Sequence, residues 1–174
     1  MADFEKAIPH ILKWEGGYVD HPSDPGGKTN RGITFTTFGR VAKSVLGIAP
    51  TIENLKALTE DQAKKIYKSE FWDKIKGDAI KDQSVANIIF DGFVNMGKHA
   101  IRIAQDVVNV DRDGIVGPKT INAINAANAV ELFTNIKQAR IDYYKNLAVN
   151  KPAMKVFLKG WLNRINSFEY EKIL

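Results

Sequence analysis

The chain has 174 residues, no cysteine and a formal net charge of +5. That length buries a substantial core in one compact unit without staples, and the lack of Cys excludes both a disulfide framework and thiolate chemistry. No stretch reaches the roughly 18 uninterrupted apolar residues of a membrane span, and Asp3 and Glu5 stand where a signal peptide would be basic and then apolar, so the chain reads as soluble, unsignalled and without stable membrane insertion. The basic excess lies at one end: Met1 to Val130 carry 17 basic and 16 acidic residues, Glu131 to Leu174 carry 8 and 4. Such a surface suits nucleic acid, anionic lipid or the acidic polymers of a bacterial envelope, and charge alone does not choose. With no paired Cys and His ligands and no aromatic RNP motif, no nucleic-acid partner is expected.

Phe4, Ile8, Ile11 and Leu12 recur at helical spacing, and Glu15 continues their face. Gly16 and Gly17 follow, the residue type that ends helices in a left-handed turn, so Glu15 is predicted in the last helical turn, at the edge of a loop. Pro9 inside this helix predicts a kink or a late start. A carboxyl group that closes an apolar stripe beside a loop is placed as a general acid requires, although a solvated helix-end glutamate is the commoner case. The loop from Tyr18 to Ile33 is rich in Pro, Gly and small polar residues, with room for a short hairpin.

Phe38, Val41, Ala42, Val45 and Leu46 predict a helix over about 35 to 46, with Thr34 or Thr36 to cap it. Thr59 and Gln62 form a capping-box pattern before Ala63, Ile66, Tyr67 and Phe71. Trp72 follows; an indole can stack on the apolar face of a sugar, but a tryptophan here is more often core. The next helix, Asp82 to Met96, carries a polar stripe through Asn87, Asp91 and Asn95, which either faces water or lines a groove for sugar hydroxyls and acetamides. A helix over about 98 to 109 stops at Asp111-Arg112-Asp113-Gly114. That run opens like a calcium loop but has Asn122 where the twelfth-position Glu belongs, so it reads as a turn with no metal, and Pro118 starts the following helix. Two long core helices, about 130 to 149 and 153 to 170, end the chain. The fold class predicted from these segments is all-α.

Glu15-Gly16-Gly17-Tyr18, followed by Asp24-Pro25-Gly26-Gly27-x-Thr29-Asn30-x-Gly32-Ile33-Thr34, resembles the opening of the N-acetylmuramidases of glycoside hydrolase family 108, among them phage endolysins and secretion activator proteins. Tyr67 to Asp73 resembles an aromatic segment of that family. Phe90-Asp91-x-x-Val94-Asn95-x-Gly97 and Asp113-Gly114-x-x-Gly117-Pro118-x-Thr120 resemble its C-terminal peptidoglycan-binding half, and Gly160-Trp161-Leu162-x-Arg164 resembles its last helix. The resemblance implies a lysozyme-like helical fold, a catalytic half over 1–96, a peptidoglycan-binding half over 97–174, and Glu15 as catalytic acid. Bacterial peptidoglycan would be the substrate and no cofactor is implied. Export to the periplasm would need a holin-like pore or a secretion system as partner.

Glycosidic hydrolysis requires an acid on the leaving oxygen and a nucleophile, or a base-activated water, on the other face of the sugar. Glu15 fits the first role. Asp24, nine residues on, is the candidate for the second, with Asp20 a lesser one; the spacing resembles the phage-type lysozyme pattern Glu-x8-Asp-x5-Thr, with Thr29 one residue early. Tyr18, Asn30, Trp72, Asp91 and Asn95 are the candidate substrate contacts. Two other readings stay open: a lytic transglycosylase, in which Glu15 works as the lone acid and base, and a silent wall-binding module.

Overall fold

The computed structural model describes residues 1–20 and 27–171. Among them the chain is all-α apart from one small hairpin, the lysozyme-like architecture expected. It divides into two compact units, Ile8–Asp73 and a second made of Met1–Ala7 with Lys74–Leu174. The predicted boundary at 96/97 lies inside the second unit.

Helix α1 (Phe4–Leu12) has its first turn in the second unit and the rest in the first, and it ends sooner than its apolar series suggests. It starts at Phe4 and keeps Pro9 inside it, so the start is not late. Beyond Lys13 the backbone bonds tighten to three-residue steps, Trp14 to the Ile11 carbonyl (3.0 Å) and Glu15 to that of Leu12 (3.3 Å). Neither Gly16 nor Gly17 is left-handed. Glu15 therefore stands in the loop rather than in the last turn of the helix.

Strands β1 (Thr29–Asn30) and β2 (Ile33–Thr34) pair antiparallel around Arg31 and Gly32, whose φ of 50° and 74° make the tight two-residue turn that suits strand twist. A Val19–Thr29 bridge closes the stem of the long loop. Thr34 then caps α2 (Phe35–Val41), which runs into a π-helical turn over Ala42–Leu46. The short α3 (Ile52–Lys56) has no counterpart in the sequence reading, because five residues give no period to detect. Helix α4 (Glu60–Tyr67) begins with the predicted Thr59–Gln62 capping box and continues as a π-turn over Lys68–Trp72. Ile8, Ile11, Ile33, Phe38, Leu55, Ile66, Tyr67 and Trp72 are essentially shut from solvent and form this unit's core.

The second unit packs α5 (Gln83–Met96), α6 (Lys98–Val107), α7 (Pro118–Ala126), α8 (Ala129–Asn150) and α9 (Lys155–Asn166). Pro118 opens α7, as expected. Helices α8 and α9 run antiparallel: Tyr144 stacks on Trp161 at 5.3 Å, and Lys137 Nζ donates to the Phe168 carbonyl at 2.6 Å.

At the centre of this unit Asp91, with no exposure, accepts from Arg140 (2.8 Å) and from Nε of Arg164 (2.7 Å). Arg140 also donates to the Ile88 carbonyl and the Tyr144 hydroxyl, and Asn95 donates to that hydroxyl at 2.8 Å. Two cations on one anion, removed from water, hold three helices in register, and the loss of Asp91 would remove the carboxylate that both cations face. Nearby, buried Gln105 donates to Asp113 Oδ1 (2.8 Å) and to the Ile115 carbonyl (3.0 Å), and accepts from the Gly114 amide (2.9 Å). The Asp-x-Asp-Gly run is thus wound around an amide side chain, and no metal-binding group of His, Cys, Asp or Glu occurs among the described residues.

Candidate active site

The site is assembled on the hairpin turn of the first unit. That turn, with its two positive φ angles, is pinned from three sides. Asn30 Nδ2 donates to the carbonyls of Leu55 (2.8 Å) and Lys56 (3.1 Å), Arg31 Nε donates to that of Leu58 (3.0 Å), and the buried Tyr67 hydroxyl donates to that of Arg31 (2.8 Å). Tyr67 is held in turn against Phe71, ring centroids 5.4 Å apart. Fixed loop backbone is what a reacting side chain needs as a rest.

Glu15 rests on it. A Cβ placed on Gly32 would overlap Oε2 of Glu15 and lie 2.5 Å from both its Cδ and the Tyr67 hydroxyl. The glycine therefore serves two needs: the left-handed backbone of the turn, and the close approach of a half-buried carboxyl group. Beside Glu15, Trp14 is 37% exposed, with Lys13 Nζ 5.9 Å above its ring. Tyr18 is half-buried under Lys56 Nζ at 5.1 Å. Burial, and after it the charge of Asp20, push the Tyr18 phenol above its ordinary range.

The structure treats the sequence candidates unequally. Thr29, half-buried in β1, donates its hydroxyl to the Gly27 carbonyl at 3.1 Å. Asp24 lies outside the described residues. Asn30, 5% exposed, commits its amide to the end of α3, a structural task rather than a sugar contact. Trp72 is fully buried and belongs to the core. Asp91 is corrected likewise: no exposure and two arginines on its oxygens leave no face for a glycan. Asn95 is exposed, with its amide on Tyr144. The sequence reading assigned no role to Gly32 or Tyr67. The signal for the first was the Asn30-Arg31-Gly32-Ile33 turn pattern; Tyr67 looked like an ordinary apolar member of its helix face.

A half-buried carboxyl group seated on a braced turn, within a helical lysozyme-like framework, is an arrangement that suits the glycoside hydrolase class. Comparison with known proteins makes the class specific. Residues 8–97 match the glycosyl hydrolase 108 family model, and residues 99–166 match a predicted peptidoglycan domain. The chain belongs to the glycosyl hydrolase 108 family. It is similar to SagA of Brucella abortus, with 32% sequence identity, 98% of each chain covered and a TM-score of 0.75. No curated protein matches. A glycosyl hydrolase segment followed by a peptidoglycan domain supports a peptidoglycan hydrolase.

Proposed function

We propose that the protein is an N-acetylmuramidase that cleaves the β-1,4 bond between N-acetylmuramic acid and N-acetylglucosamine, with Glu15 as general acid. The observation that carries this reading is the seat of Glu15, a carboxyl group packed closely against Gly32 on a turn braced by three neighbouring segments, the Tyr67 hydroxyl among them. In this mechanism Glu15 gives its proton to the bridging oxygen as the bond to C1 of the muramic acid breaks. A water adds to C1 from the opposite face, and its proton passes to a second carboxylate.

Asp24 is our assignment for that second group, with Thr29 positioning the water. The bridge between Val19 and Thr29 supports this, because it pairs the two flanks of the segment that carries Asp24 next to the hairpin. Water activation of this kind requires the two carboxyl groups roughly 6.5 to 9.5 Å apart and inverts the product. Trp14 offers an exposed ring next to the acid as a platform for the apolar face of a sugar. Residues 1–96 perform the chemistry and residues 97–174 hold the wall, and in a Gram-negative host the enzyme reaches the periplasm through a holin-like pore or a secretion system.

Product analysis tests the reading. Purified sacculi are digested, and the soluble fragments are reduced and weighed. Reduced N-acetylmuramic acid ends are expected; anhydro-muramic ends would replace hydrolysis with transglycosylation, and intact sacculi with bound protein would leave a wall-binding module.

A further inference from the structure

The basic excess at the C-terminal end is not used by the chemistry above. From Tyr143 to Phe168 the chain carries five basic residues and no acidic one. One of the five, Arg164, is paired with Asp91. The other four, Lys145, Lys151, Lys155 and Lys159, are exposed around the junction of α8 and α9, a 3-10 turn over Pro152–Met154. The same junction exposes apolar side chains: Val149 is 75%, Val156 77% and Phe157 53% exposed, so three of the eight exposed large hydrophobics among the described residues fall within nine positions. Lys145, Ala148, Val149, Pro152, Lys155 and Leu158 line an open groove of about 430 Å³ there.

This tip is anchored to the core of its unit. Phe157 stacks on Trp161 (5.9 Å), Trp161 on buried Tyr144 (5.3 Å), and Tyr144 shares its hydroxyl with Arg140 of the ion-pair cluster. An aromatic ladder thus leads from the centre of the unit to the exposed ring.

We infer that the α8–α9 junction is a docking surface for an anionic lipid bilayer, peripheral and reversible. Charge complementarity selects an anionic partner, and the apolar residues decide which. A phosphate- or carboxylate-bearing polymer would satisfy the lysines but leave Val149, Val156 and Phe157 in water. The headgroup and upper acyl region of a bilayer accepts both, with ammonium groups at the phosphates and the valines and phenylalanine below them. Bound this way, the enzyme would be concentrated on the membrane that faces its substrate.

The test is flotation of the full chain with vesicles of phosphatidylcholine alone or mixed with phosphatidylglycerol, and in parallel with purified sacculi. Vesicles contain no glycan, so the result is independent of whether Glu15 catalyses hydrolysis. Binding is expected to the anionic vesicles, much weaker at about 0.5 M salt where charges are screened over a few ångströms. The double variant Lys151→Gln, Lys155→Gln alters two exposed side chains and should weaken that binding by about thirtyfold, about fivefold for each lysine. Phe157→Ser should weaken it further, and brominated lipid should quench Trp161 in the wild type but not add quenching in Trp161→Phe. Failure to bind anionic vesicles, equal binding by the lysine variant, or a loss in that variant of sacculus binding alone would each overturn the inference.

Discussion

Gly32→Ala isolates the seat of Glu15 from everything else the glycine does. The added methyl would lie 2.5 Å from Cδ of Glu15 and from the Tyr67 hydroxyl, where ordinary contact begins near 3.4 Å. Something must therefore retreat by about 1 Å. Tyr67 is buried and donates to the Arg31 carbonyl, so its displacement orphans a turn carbonyl; the carboxyl of Glu15 ends a flexible side chain and should swing. A misplacement of that size at a reacting group costs about a hundredfold in kcat. The left-handed φ of 74° adds strain of about 1–2 kcal/mol, a fall in Tm of roughly 2 to 8 °C for a chain of this length. Turbidity clearing of sacculi, with Tm read by circular dichroism, separates the two effects. Gly17→Ala is the control, since its Cβ meets nothing within 4 Å and its φ is not positive; it should stay near wild type. A folded Gly32→Ala enzyme with wild-type kcat would refute the argument that this seat matters to the chemistry.

Asp91→Asn removes the carboxylate that buried Arg140 and Arg164 both face and should lower stability by about 3–5 kcal/mol, visible as a large fall in Tm; an unchanged Tm would show the cluster to be dispensable. Asp24→Asn should lose most hydrolysis while sacculus binding by pelleting persists, whereas a residue that only shapes the loop would tolerate the change. Asp113 is held below the ordinary carboxylate range, first by the Gln105 amide and then by the Ile115 backbone amide. Its contribution to stability is therefore complete above the unfolded value near 4 and is lost as pH falls through the depressed folded value, a dependence that Asp113→Asn should remove from acid-unfolding curves.

Local signals were legible where one residue type does one job. Thr34, the Thr59–Gln62 box and Pro118 announced helix starts because each satisfies or omits a backbone donor at a fixed offset. Period carried the long helices, and failed at α3, which is too short to show one. Glu15 stood out in the sequence, but its seat did not. The apolar series suggested a helix end, while the structure places Glu15 beyond Leu12 and against the hairpin turn at Gly32, and that contact leaves no trace in spacing. Asp91 misled for the opposite reason. Its stripe reads as facing water or lining a groove because the sequence does not display its partners, yet Arg140 sits among apolar positions of α8 and Arg164 in α9, and a cation in a core stripe calls for a buried carboxylate.

The central claim is that Glu15 supplies the proton that breaks the glycan. Glu15→Gln keeps the shape of the side chain and its place on Gly32 but has no acid to donate. Release of reducing muropeptides from sacculi should fall by about two to four powers of ten, with the Tm and sacculus binding of the wild type retained. A Glu15→Gln protein that still releases those fragments at a rate near wild type would contradict the account.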